Sequence, residues 1–198
     1  MYMQMELAIE QLKKFTNSIH ALSNDEWNSF ASIWQLQDAK RKTILTAAGE
    51  TEKYLYFIVN GVQRAFYIGE NNKEATIVFT YPFSFSGVAD SFLTQTPSLY
   101  HFETLTKSTF LKTSHQQVFQ LMDQYPNFER FIRVAVSYSL KGVLERQIEL
   151  QCFSAEEKFT TLLRRSPHIL RLIPHKYLAS YLGIDATTFS KLLGTVRL

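Results

Sequence analysis

Residues 175–194, HKYLASYLGIDATTFSKLLG, hold the side chains best spaced in this chain to meet a polyanion. Leu178, Leu182, Ile184, Phe189 and Leu192 recur where two crossed helices share a small core. Ala179 falls at their closest approach, where a larger side chain would push the helices apart. Gly183 falls in the turn, which needs a positive φ that glycine adopts freely. Asp185 is placed to cap the second helix by accepting its unpaired N–H groups. The spacing predicts a helix-turn-helix over Pro174 to Val196.

Such a unit lays the N-terminal end of its second helix along base edges in the major groove of double-stranded DNA. The outward positions of that helix are Ala186, Thr187, Ser190 and Lys191. Lys191 can reach a guanine edge or a phosphate, and Thr187 and Ser190 can hydrogen-bond either. The methyl groups of Ala186 and Thr187 suit a thymine methyl. His175 and Lys176, at the start of the first helix, are the phosphate candidates. No arginine lies on this surface, which weakens its base readout.

Chemistry elsewhere is sparse. The five histidines, at 20, 101, 115, 168 and 175, form no pair at metal-ligand spacing on a helix. His101 and Glu103 share a strand face, but further histidines that would complete a site are lacking. The single cysteine, Cys152, excludes an intrachain disulfide and reads as a packing residue in an apolar setting. There is no P-loop, dinucleotide fingerprint or nucleophile elbow. No enzyme activity, metal or cofactor is expected.

Charge is divided unevenly. Residues 151–198 carry seven Lys or Arg against three Asp or Glu, whereas residues 1–150 carry 14 against 15. A basic segment beside a neutral one points modestly to a polyanion. No apolar run is long enough to span a bilayer, and the N-terminus lacks a signal-peptide core, so a cytoplasmic protein is expected.

The elements that must position the motif can be read in order. The first forty residues are helical, with Ser23 and Glu26 as a capping box. From about Lys42 to Ser114 short β-rich runs alternate with turns. Tyr54–Val59 and Val62–Ile68 read as strands joined at Asn60-Gly61 as a hairpin, and the turn at 69–72 leads to the strand Glu74–Phe79. A long helix runs from Asn127 to about Cys152, and Ser154 with Glu157 caps the next one, which stops before Pro167. The domain joint is expected near Gln151–Ser154. The fold class is α+β, with an antiparallel β-roll flanked by helices, a long helix and a C-terminal helix-turn-helix domain.

These motifs, in this order, resemble the CRP/FNR family of bacterial transcription regulators. The run ILTAAGETEKYLYFIVNGVQRAFYIGENNKEATIVF is similar to that family's β-roll, a double-stranded β-helix that binds cyclic nucleotides. FSFSGVADSFLTQTPSLYHFETL takes the place of its phosphate-binding cassette. SAEEKFTTLLRRSP with IPHKYLASYLGI resembles the winged-helix domain of compact members. The resemblance covers roughly Leu22 to Val196. It implies a sensor domain over 1–126, a homodimer joined through the helix at 127–150, and a DNA-binding domain over 151–198. Double-stranded DNA is the implied partner, and RNA polymerase a further candidate.

Departures from the family narrow the effector. Members that bind cyclic AMP carry a glutamate for the ribose hydroxyl and a following arginine for the cyclic phosphate. Here Val88 stands in the glutamate's place and Ser98 in the arginine's. A buried phosphate without a paired cation is costly. On the long helix, Val143 and Leu144 replace the expected polar base contacts. Cyclic AMP is therefore not expected to bind. The remaining pocket positions, Ala65, Ile77, Val78, Val88, Ala89, Leu99 and Phe102, are apolar, with Gly87 and Ser98 the exceptions. Arg64 alternates to the face opposite Ala65 and is a poor substitute cation. The roll then holds either a small hydrophobic or neutral effector or a filled core. Two functions remain: a dimeric DNA-binding regulator, or a ligand-binding or protein-interaction module whose helix-turn-helix has lost specific DNA affinity.

Overall fold

The protein is described here from a computed structural model, over residues 2–196. Its backbone divides into two compact units: residues up to Ala65 with Phe79–Tyr138, and Phe66–Val78 with residues from Ser139 onward.

In the first unit, α1 (Tyr2–Ile19) is followed by α2 (Asn24–Ser32). The Ser23 capping box forms as expected: Ser23 Oγ accepts from the Glu26 N–H at 3.3 Å, and Glu26 Oε2 accepts from the Ser23 N–H at 2.7 Å. Among the described residues eight strands, of which β4 and β5 pass into the second unit, build two sheets. One has the order β1 (Gln35–Ala39), β8 (Ser108–Ser114), β3 (Tyr54–Asn60), β6 (Phe85–Ser86). The other has the order β2 (Ile44–Thr46), β7 (His101–Thr104), β4 (Gln63–Ile68), β5 (Glu74–Thr80). The pairs β1–β8, β2–β7, β3–β6 and β3–β8 are antiparallel.

The run Tyr-Leu-Tyr-Phe-Ile-Val of β3 is apolar throughout because both of its faces are covered. Tyr56 and Ile58 join Ala65, Val88, Phe102 and Phe110 in an inner cluster. Phe57 points the other way, into a larger cluster with Leu12, Phe30, Trp34, Leu111, Phe128 and Phe131, which the N-terminal helices help to cover. Burial of a side chain such as Phe57, which is fully inaccessible, stabilises the fold by about 1.5–3 kcal/mol.

The expected hairpin at Asn60-Gly61 is not one. β3 and β4 lie in different sheets, because both edges of β3 are already taken by β8 and β6. Gly61, at φ +97°, turns the corner between the sheets, and a Cβ there would stand 2.7 Å from the Lys107 carbonyl. A true turn lies one step later: the Gly69 N–H donates to Lys73 O at 2.9 Å, and β4 and β5 are neighbours. α3 (Ala89–Thr94) and α4 (His115–Gln124) complete the unit, and α5 (Pro126–Cys152) runs out of it.

In the second unit the C-terminal half of α5 and the β4–β5 tip accompany α6 (Ala155–Arg165), α7 (Ile169–Leu172), α8 (His175–Leu182) and α9 (Ala186–Thr195). Ser154 and Glu157 form the expected box, with bonds of 2.8 and 3.2 Å. Phe159, Leu162, Leu163, Ile169, Ile173, Leu178, Leu182 and Phe189 are the core. Among the described residues no strand follows α9. Cys152 is exposed rather than packed, because α5 ends at it and its last turn leaves that side uncovered. Among the described residues no helix is long and apolar enough to cross a membrane.

Candidate nucleic-acid interface and ligand site

α8 ends at Gly183, whose φ of +65° lets the chain reverse: the Ile184 N–H returns to Ala179 O at 3.1 Å and the Gly183 N–H to Ser180 O at 3.1 Å. Two residues later α9 begins under its cap. Asp185 Oδ1 accepts from the Thr188 N–H at 2.8 Å, and Oδ2 accepts from the Thr188 hydroxyl at 2.6 Å. These bonds hold the Asp185 carboxyl below its usual range. Leu178, Ala179, Leu182 and Phe189 are buried, with the Phe189 ring edge-on to Phe159 at 5.3 Å, while Ile184 and Leu192 are half-buried. His175, Lys176, Ala186, Thr187, Ser190 and Lys191 are all exposed.

Contacts that periodicity cannot reveal fasten α8 to its surroundings and α5 to α6. Ser180 Oγ accepts from the Thr76 N–H at 2.9 Å and donates to Glu74 O at 3.1 Å, joining α8 to the strand at the hairpin tip. The Arg146 guanidinium of α5 lies 4.1 Å from the Tyr181 ring centre and donates to the Tyr181 carbonyl. Glu149 accepts from Arg146 at 3.0 Å and also from Arg165. Burial alone would raise the Glu149 carboxyl, but the two guanidinium groups outweigh it and hold it low.

The expected ligand positions separate. Ala65, Val88 and Phe102 meet in the inner cluster, where Tyr56 stands edge-on to Phe110 at 5.0 Å and 5.9 Å from Phe102. Ser98 is buried, and its hydroxyl donates to Tyr100 O at 2.6 Å. Gly87 is half-buried, at φ +122°. Ala89, Ile77, Val78, Leu99, Val143 and Leu144 are exposed, so they line no enclosed space in this chain. Leu99 lies in the loop before β7, Ile77 and Val78 on an uncovered stretch of β5, and Val143 and Leu144 on an uncovered face of α5. Arg64 is indeed turned to other work: it is buried against Glu103. His101 and Glu103 take different partners, the His101 ring accepting from the Ala48 N–H at 3.2 Å.

Sequence reasoning missed Glu52. It sits in the polar run GETEKY, which reads as a surface turn, yet it is 1% exposed. Thr46 Oγ1 donates to its Oε2 at 2.7 Å, the Val88 N–H donates to the same oxygen at 3.3 Å, and the Tyr54 N–H donates to Oε1 at 3.1 Å. Burial pushes its carboxyl up, against those three donors.

Residues 36–125 match the family model of the cyclic nucleotide-binding domain. No curated protein matches the chain. Among solved structures it is similar to FixK2 from Bradyrhizobium japonicum, with a TM-score of 0.75 at 14% identity over 82% of this chain and 83% of that one. It is also similar to CLP, the c-di-GMP responsive global regulator of Xanthomonas campestris, with a TM-score of 0.67 at 16% identity over 87% and 90%. Thermus thermophilus catabolite activator protein gives a TM-score of 0.56 at 21% identity over 91% and 89%. The fold is that of the CRP/FNR-type regulators. The likeness is one of fold, with the cyclic nucleotide-binding domain over residues 36–125.

Proposed function

We propose that the chain is a cytoplasmic, non-enzymatic transcriptional regulator that binds a twofold-related DNA site as a homodimer. In this reading residues 1–126 are the sensor, 127–150 the dimer helix and 151–198 the DNA reader. The observation that carries it is the division on α8 and α9: all six candidate contact residues are exposed, while Tyr177, Leu178, Ala179, Leu182 and Phe189 between them are buried. Lys191, Lys176 and His175 supply the phosphate and base donors, and Ala186, Thr187 and Ser190 the close contacts. The partner copy supplies a second reader about 34 Å away, one turn of the duplex. RNA polymerase is the further partner such a regulator engages. The packed inner cluster supports a roll with no bound cyclic AMP, either filled by its own side chains or open to a small neutral effector.

The short side chains of Ala186 and Thr187 at the leading end of α9 favour a second reading, a protein-interaction module without specific DNA binding. A mobility shift with genomic fragments over a salt series separates the two. The regulator reading expects affinity that falls steeply with salt, and Lys191→Ala that weakens binding and lowers the salt slope by about one. Binding to no fragment at low salt would leave only the second reading.

A further inference from the structure

The Gly87–Val88 turn opens α3 and presents the Val88 N–H, the kind of backbone donor that an anion takes. That donor is in use. Glu52 Oε2 accepts from it at 3.3 Å and from the Thr46 hydroxyl at 2.7 Å. The backbone of Glu52 is fixed to the same segment: its N–H donates to Ser91 Oγ at 2.9 Å, and Gln95 Nε2 donates to its carbonyl at 3.2 Å. Gly87 makes the approach feasible. At φ +122° a side chain would be strained, and a Cβ would stand 3.2 Å from Tyr54 O and 3.6 Å from the Glu52 carboxylate.

We propose that Glu52 is an internal anion that fills this turn, so that the roll rejects anionic effectors. The proposal rests on the reading of residues 86–98 as the effector cassette. A second anion brought to the turn would face a carboxylate that is 1% exposed. The titratable neighbours on the adjoining strand are Tyr54 and Tyr56, whose phenols carry no positive charge. Glu50 and Lys53 line the same groove as Glu52, and Lys112 stacks 3.5 Å from the Tyr54 ring centre. The class of ligand excluded covers cyclic nucleotides, nucleotides and carboxylates alike, and any effector the roll admits is neutral or cationic.

The full chain tests this without DNA. Glu52→Ala leaves a hole with the Val88 N–H and the Thr46 hydroxyl on its wall. Formate, a free carboxylate of that size, is expected to raise the melting temperature of Glu52→Ala saturably, beyond chloride at the same ionic strength, and to leave wild type at the chloride value. Formate acting no better than chloride on a folded Glu52→Ala overturns the proposal. If Glu52→Ala does not fold, the Val88 amide proton decides. In wild type it is expected to move as Glu52 titrates, with a midpoint above the ordinary glutamate range, and to stay still in Glu52→Gln. A Val88 amide that ignores pH in wild type overturns the proposal, as does micromolar cyclic AMP binding by calorimetry. A chain that fails to shift DNA removes the regulator reading and leaves these results standing.

Discussion

Arg64 Nε donates to Glu103 Oε1 at 2.7 Å, joining two side chains of 2% and 6% exposure on neighbouring strands. Lys42 Nζ reaches the same oxygen at 3.0 Å from the partly exposed rim. The pair explains how an arginine is tolerated inside a roll, and it commits that guanidinium to the fold. Loss of every partner of a buried charge costs about 3–5 kcal/mol, but without Arg64 the Glu103 carboxylate keeps Lys42. Arg64→Ala is therefore expected to lower stability in urea unfolding by less than that amount. The double variant Arg64→Met/Glu103→Leu should recover most of the loss. An Arg64→Ala protein as stable as wild type would show the pair to be dispensable.

Gly61→Ala tests the corner between the sheets. The substitution forces a φ of +97° on an L-residue and drives its Cβ against the Lys107 carbonyl. Strain of this kind costs about 1–3 kcal/mol. A lower denaturant midpoint with an unchanged slope is the expected result, and a hairpin-type Asn-Gly turn would have shown a smaller effect.

Asp185 predicts a pH dependence confined to the reader. Its folded pKa lies below the ordinary value of 3.8, so its contribution is complete above that value and is lost as pH falls through the folded pKa. The stability difference between wild type and Asp185→Ala should be present at neutral pH and disappear in strong acid. Helix content followed by circular dichroism across the acid range measures it.

The uncovered middle of α5 carries Tyr138, Leu140, Val143, Leu144 and Ile148, each more than half exposed. Under the proposed dimer these residues meet their copies. Val143→Lys is expected to give a monomer by sedimentation, with little change in helix content because no contact within the chain is lost. A Val143→Lys dimer would place the interface elsewhere.

What the chain announces by itself is what lies within a few residues. The Ser23–Glu26 and Ser154–Glu157 boxes, the Gly183 reversal and the Asp185 cap were all legible, because each joins groups three to five positions apart and depends on residue type alone. The core of α8 and α9 was legible for the same reason, since periodicity sorts faces without knowledge of the partner.

Tertiary structure decided which faces are covered, and by what. Asn60-Gly61 has the composition of a hairpin, but the edges of β3 were claimed by strands far along the chain. Arg64 found Glu103 39 residues away, and Ser180 found Thr76 104 residues away. Glu52, in a run of polar residues, was buried by a turn that closes over it from Gly87 and Val88. Hydrogen bonds and ion pairs of this range are set by the path of the whole backbone, and no local spacing encodes them.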